Sequence, residues 1–138
     1  MATAQTYQVD GNALPLTVDV TVPVGDSYRK LWTLQRDTGT AAAVSLTSVT
    51  WTLKVSDIPD GTSKLSKTTT TDWTVSGIHV DTAASGTFSV YLLAADVTTL
   101  GVGSYYYEVE ATFPAAHADF PSMVKTLFRG TLNVVADT

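Results

Sequence analysis

The feature that most constrains this chain is a strict alternation of apolar and polar residues between positions 14 and 24. Every second residue is aliphatic, and threonine, aspartate or proline fills the places between, the aliphatic set being Leu14, Leu16, Val18, Val20, Val22 and Val24. Successive side chains of a β-strand point to opposite faces, so the pattern predicts a strand with one buried face. Pro15 and Pro23 cannot donate to a ladder, which places this strand at the edge of a sheet.

The alternation recurs along the chain between turn-forming residues. It predicts further strands at about 27–36, 48–56, 87–93, 103–113 and 123–135, and one helical turn at 94–100. Between 56 and 86 the pattern is weaker: 64–71 is either a solvated strand or a loop, and short strands are expected at 73–75 and 78–80. Gly130 is expected to mark a bulge. Turn signals roughly every ten to fifteen residues favour a sandwich or barrel over alternating β–α units.

Length and composition limit the class of protein. The 138 residues suit one domain, which we divide into an extended arm at 1–12 and a β-domain at 13–138. The net charge of −5 disfavours nucleic acid as a partner. A membrane-spanning helix needs about 18 consecutive apolar residues, and no apolar run in the sequence is that long. The N-terminus lacks the pattern of a secretory signal. The absence of cysteine excludes disulfides and points to synthesis in a reducing cytoplasm.

Several inward positions are large and identify a sandwich-like core. Trp51, Phe88, Tyr107 and Phe128 lie at apolar positions of four different predicted strands. Tyr105 follows a glycine-containing turn at the start of a late strand, the position of a tyrosine corner, whose hydroxyl bonds back to the preceding loop. The prediction is an all-β, immunoglobulin-like antiparallel β-sandwich of seven to eight strands with an extended N-terminal arm.

The polar residues do not form a recognisable catalytic or metal motif. His79 and His117, the two histidines, lie in separate segments, and Asp57 with Asp60 does not follow a calcium-loop spacing. Glu108 and Glu110 share one strand face with no apolar surroundings, as solvated residues do. We therefore expect no enzyme activity, no cofactor and no metal.

Outward aromatic residues are the candidates for binding. Tyr7 in the arm, Tyr106 and the loop containing Phe120 are predicted to contact protein partners, because surface tyrosine and phenylalanine favour interfaces. The uncharged run at 68–71 is predicted to be an open sheet edge that could accept a strand from a neighbouring subunit. The alternative is a carbohydrate-binding or host-attachment module, which requires an exposed cluster among Trp73, Phe113 and Phe120.

Four segments stand in order in the second half of the chain: GTFSVYL (86–92), ADVTTL (95–100), GSYYYEV (103–109) and RGTLNV (129–134). In the first half, GDS (25–27) and WTLKV (51–55) fit the same plan. This series resembles the immunoglobulin-like domains of tailed-phage virion proteins, such as the N-terminal domain of the baseplate upper protein.

The resemblance implies a bacteriophage virion structural protein. Such a protein is made in the host cytoplasm and held in the virion by other phage proteins in symmetric multiple copies. It implies a tail, baseplate or neck accessory or a capsid decoration protein, and it brings no catalytic residues to this chain.

Overall fold

The computed structural model describes residues 5–9, 15–36, 42–58, 61–70, 73–118 and 120–137. Leu14, Asp60, Thr71 and the remainder of the 1–12 arm lie outside these ranges. Within them the chain forms strands β1 (Gln5–Val9), β2 (Leu16–Thr17), β3 (Val20–Pro23), β4 (Tyr28–Arg36), β5 (Ala42–Ala43), β6 (Thr50–Ser56), β7 (Ser63–Thr70), β8 (Gly77–Thr82), β9 (Thr87–Leu92), β10 (Gly103–Thr112) and β11 (Val124–Val135), with a 3₁₀ turn at Ala83–Ser85 and helix α1 (Ala94–Leu100).

The strands form one continuous, curled, mixed sheet. Its order is β1-β4-β9-β8-β7-β6-β10-β11-β2, with β3 also on β11 and β5 on β4. The all-β prediction is confirmed. The prediction of a purely antiparallel arrangement is wrong, because β1 runs parallel to β4, β7 to β8, and β2 and β3 to β11. The strand number also exceeds the predicted seven to eight, since several short segments pair as separate strands.

The core lies on the inner face of the curled sheet. The four residues predicted to be in the core, Trp51, Phe88, Tyr107 and Phe128, are all buried. Ring centroids are 4.4 Å apart for Trp32 and Phe128 and 4.7 Å apart for Trp51 and Phe88. These contacts join β4 and β9 to β6 and β11, so the two halves of the sheet face each other across one shared core.

Strand β7 connects the two halves. Thr68 pairs with Thr52 of β6, while Thr69 and Thr70 pair with Ile78 and His79 of β8. The polar segment is therefore a strand. The expectation that its threonines form an open edge is wrong for 68–70, because β7 lies between β6 and β8 in the sheet order and not at its end.

The segment that follows β7 differs from its predicted form. Trp73 and Val75 lie in a turn and bend and not in the short strand that their spacing suggested. Among the described residues pairing resumes at Gly77, where the carbonyl oxygen of Thr68 leaves no room for a side chain: a Cβ at position 77 would lie 2.3 Å from that oxygen.

The segment with alternating residues at 14–24 forms β2 and β3 and lies at the edge of the sheet opposite β1, as predicted. It is interrupted at Val18 and Asp19, where it passes over Gly130. A Cβ at position 130 would lie 2.2 Å from the carbonyl oxygen of Val18, so glycine is needed for close approach. The bulge predicted at Gly130 is wrong: the register shift between β10 and β11 lies at Val109/Glu110.

Candidate binding faces of the sheet

Tyr105 fixes the end of α1 to β10. Its hydroxyl donates to the carbonyl oxygen of Leu100 and, at 3.0 Å, to that of Gly101. These are the backbone groups just upstream, as expected of a tyrosine corner. The contact satisfies carbonyls at the C-terminal end of the helix, so Tyr105 has a structural role.

The loop between β10 and β11 is folded into the core, and the prediction that Phe120 faces outward is wrong. Phe120 is 4% exposed and its ring lies 5.2 Å from that of Phe113, which is also buried. The backbone N–H of Phe120 donates to Nδ1 of His117 at 3.0 Å, and Nε2 of His117 lies 2.7 Å from the carbonyl oxygen of Ser45.

This arrangement assigns the histidine tautomer. Because Nδ1 of His117 accepts a hydrogen bond, Nε2 carries the proton and donates a hydrogen bond to the carbonyl oxygen of Ser45. Both ring nitrogens are thus used to hold the loop down. Loops carry no hydrophobic period, so the sequence offered no signal that Phe120 turns inward.

Tyr7 lies in β1, where it is in register with Leu34 of β4. β1 is the terminal strand of the sheet order. The backbone of Tyr7 is therefore at a sheet edge, and its side chain is outside what the structure describes.

The outer face of β4, β9 and β8 is covered by Trp73. The indole stacks on His79 with ring centroids 4.0 Å apart and meets Tyr91 edge-on at 5.2 Å. The Arg29 guanidinium lies 4.2 Å from the indole centroid, a cation–π contact. Ring surface that a sugar would need is therefore occupied by the protein's own side chains.

Polar groups beneath this cover are paired with one another. Ser89, which is fully buried, donates to Oδ2 of Asp81 at 2.8 Å. Nη2 of Arg29 lies 3.5 Å from Oδ1 of the same carboxylate. Nδ1 of His79 lies 3.3 Å from that oxygen without the alignment of a hydrogen bond. Ser89 and His79 both face the carboxylate, so the serine is not activated by the histidine as a nucleophile requires.

The outer face of β6, β10 and β11 is open and polar. Glu108 of β10 is directly opposite Lys54 of β6 and Arg129 of β11. In the next row Tyr106 lies between Ser56 and Thr131. Sheet pairing thus assembles side chains from three strands far apart in sequence.

These rows line a trough of about 380 Å³, which also includes Thr17, Asp19, Tyr107 and Gly130. Oδ1 of Asp19 accepts the backbone N–H and the hydroxyl of Thr131, each at 3.0 Å. These bonds hold the pKa of Asp19 below its usual 3.8. The bonds attach the edge strand to β11 and form one wall of the trough.

Tyr107 stabilises the same wall from inside. Its hydroxyl donates to the carbonyl oxygen of Val18 at 2.6 Å. Burial is the main cause that raises the pKa of Tyr107 far above its usual 10.0, with smaller contributions from Tyr28 and Asp19.

Two searches of the described residues concern other classes of site. No three His, Cys, Asp or Glu side chains in the described ranges come together in a way that could hold a metal ion. None of the helices in those ranges has the length and apolarity to cross a membrane.

Comparison with known proteins adds no assignment. No known protein-family profile matches the sequence, and no curated protein is detectably similar to it.

Proposed function

We propose that the chain is a non-catalytic structural component of a tailed-phage particle, with an immunoglobulin-like β-sandwich as its fold. The resemblance in sequence motifs suggests the particle, and the order of the strands is the observation that carries the fold. The partners are other virion proteins in symmetric multiple copies, in the tail, baseplate, neck or capsid surface.

The strand order supports the sandwich. One half of the sheet has the order β4-β9-β8, and the other has β3-β11-β10-β6-β7. In an immunoglobulin-like fold the second, fifth and fourth strands form one sheet, and the third, sixth and seventh form the other. Taking β4 as the second strand gives that arrangement, with Trp51 on the third and Tyr105 near the start of the sixth. On this interpretation β7 is an extra strand that joins the two sheets.

Partner contacts are proposed at the β1 edge. The sheet path ends at β1 on one side and at β2 on the other. The second edge carries Pro15 and Pro23, which limit strand addition, whereas β1 contains no proline. A neighbouring subunit can therefore add a strand at β1 more readily, and many equivalent copies make weak single contacts sufficient.

The test is mass spectrometry of phage particles purified from cells in which the encoding phage multiplies. We expect the chain in a fixed ratio to the major particle proteins. A variant lacking residues 1–12 is expected to fold, as judged by circular dichroism, and to be missing from particles. A Thr112→Ala variant, changed at an exposed position away from β1, serves as control. Absence of the normal chain from particles would contradict the proposal, and normal incorporation of the truncated chain would contradict the role of the arm.

A further inference from the structure

We propose that the trough on the outer face of β6, β10 and β11 binds a neutral saccharide, with one sugar ring stacked on Tyr106. Tyr106 is 40% exposed and is the only aromatic residue among the large exposed hydrophobic side chains in the described part of the chain. The hydroxyls of its two neighbours in the row are already bonded within the protein, that of Ser56 to Ile58 O and that of Thr131 to Asp19 Oδ1. The polar partners for a ligand are therefore the side chains of the adjacent row, Lys54, Glu108 and Arg129. An accessible aromatic ring with such groups beside it provides both parts of a sugar site: an apolar surface for the C–H face and partners for the hydroxyls.

The volume of the trough suits a small ligand. At about 380 Å³ it falls within the range of about 300–1,000 Å³ that is usual for ligand pockets. The side chains that line it come from three paired strands and from the wall held by Asp19 and Thr131. The site is thus built on rigid elements and exists before the ligand arrives.

The charges around Tyr106 favour a neutral ligand. Two cations, Lys54 and Arg129, and two anions, Asp19 and Glu108, line the trough, so their formal charges cancel. Within the described residues neither cation forms an ion pair with Glu108, although both are opposite it in register. Donors and acceptors therefore alternate along one row and remain available, as a ring with several hydroxyl groups requires.

The backbone around the trough disfavours an extended peptide as the ligand. β10 is paired on both sides, with β6 and β11, and β11 is paired with β10 and with β2 and β3. Neither β10 nor β11 therefore has a free edge for the main-chain bonds that give peptides affinity by strand addition, and the adjoining sheet edge at β2 carries Pro15 and Pro23, which limit such pairing. Recognition must come from side chains, which suits a saccharide.

The experiment uses the purified full chain, so its outcome does not depend on the phage proposal. Saturation-transfer NMR is measured with a panel of neutral oligosaccharides of glucose, galactose, mannose, rhamnose and N-acetylglucosamine. The expected result is transfer to at least one of them, with an affinity that changes less than about twofold between low and moderate ionic strength, because a neutral ligand is not screened by salt.

Variants assign the site. Tyr106→Ala is expected to weaken binding about tenfold or more. Tyr106→Phe keeps the aromatic ring, and its affinity for the saccharide should stay within about threefold of that of the original chain. Glu108→Gln is a second variant that alters a hydroxyl acceptor, and it is also expected to weaken binding. Thr112→Ala, on the same strand but outside the trough, should bind normally.

Three results overturn the proposal: no transfer to any panel member, binding that Tyr106→Ala and Glu108→Gln leave intact, or an affinity that falls strongly as the ionic strength rises. Since both variants change side chains on an open face, circular dichroism is expected to show that each folds.

Discussion

The two outer faces of the sheet both carry polar side chains, but one face is covered by an aromatic ring and the other is open. The face of β4, β9 and β8 has Trp73 laid across it, and the polar groups below pair with one another. The face of β6, β10 and β11 has no such cover over Tyr106, and its charged row faces the trough. Polar side chains on a sheet are thus not evidence of a binding site by themselves. The covered face pairs them for stability, whereas Lys54, Glu108 and Arg129 on the open face form no ion pair with one another within the described residues.

Glycine substitutions at the crossing points of the chain should damage the fold most. Gly77, which lies beneath the covered face, has φ +147 and a Cβ there would be 2.3 Å from Thr68 O, so Gly77→Ala should cost about 3 kcal/mol of unfolding free energy. At Gly130, beside the open face, an added Cβ would lie 2.2 Å from Val18 O but φ is not positive, so Gly130→Ala should cost about 2 kcal/mol of unfolding free energy. Denaturant unfolding followed by tryptophan fluorescence measures both.

Gly101→Ala is the matched control for these two changes. It has φ +79 and ψ 168, a region that residues other than glycine rarely adopt, but nothing lies within 4 Å of the added Cβ, so it should lose about 1 to 2 kcal/mol from backbone strain alone. Equal losses at positions 77 and 101 would mean that the close approach to Thr68 does not matter.

Removing the aromatic side chain should distinguish the two faces. Trp73→Ala takes away the stacking on His79 and the Arg29 contact and should cost about 2 kcal/mol. Tyr106→Ala, on the open face, should change the unfolding free energy by less than about 0.5 kcal/mol. Similar losses for both variants would show that Tyr106 contributes to packing and is not held free for a ligand.

Tyr107→Phe tests the interior bond that supports the trough wall. Losing the hydroxyl leaves Val18 O without this donor, which should cost about 1 kcal/mol at neutral pH.

The variant should also change the alkaline behaviour. Burial raises the pKa of Tyr107 above the 10.0 of the unfolded chain, so its contribution to stability is complete below pH 10 and is lost as pH rises further. Above pH 10 the free energy of unfolding should therefore fall less steeply with rising pH for Tyr107→Phe than for the original chain. Tyr28, whose pKa burial also raises, accounts for part of the slope that remains. An unchanged slope would contradict this account.

Local patterns predicted the strands well and their partners poorly. The alternation at 103–113 identified β10 and its inward Tyr105 and Tyr107, because successive side chains of a strand point to opposite faces and the buried face therefore appears as a period of two in the sequence. The row of Lys54, Glu108 and Arg129 was not visible, because only sheet register brings positions 54 and 129 beside 108.

The remaining errors have related causes. The sequence around the threonines of β7 predicts an open edge, because no local pattern shows that β8 pairs with Thr69 and Thr70. The loop sequence predicts an exposed Phe120, because burial in a loop depends on partners such as Ser45, which His117 contacts from a distant segment. Non-local hydrogen bonds thus decide what a local pattern leaves open.

The smallest change concerns acid stability at the wall of the open face. Hydrogen bonds from Thr131 lower the pKa of Asp19 in the folded chain below the 3.8 of its usual state. The stabilisation is therefore present above about pH 4 and is lost as pH falls through the folded-state pKa. Asp19→Asn should be less stable than the original chain at about pH 6, and the two should converge at about pH 2 because protonation removes the same charge. Asp137→Asn, changed at an exposed position on the C-terminal tail, should differ little from the original chain at either pH. A constant difference between Asp19→Asn and the original chain across this range would mean that the wall is held by the shape of the side chain and not by its charge.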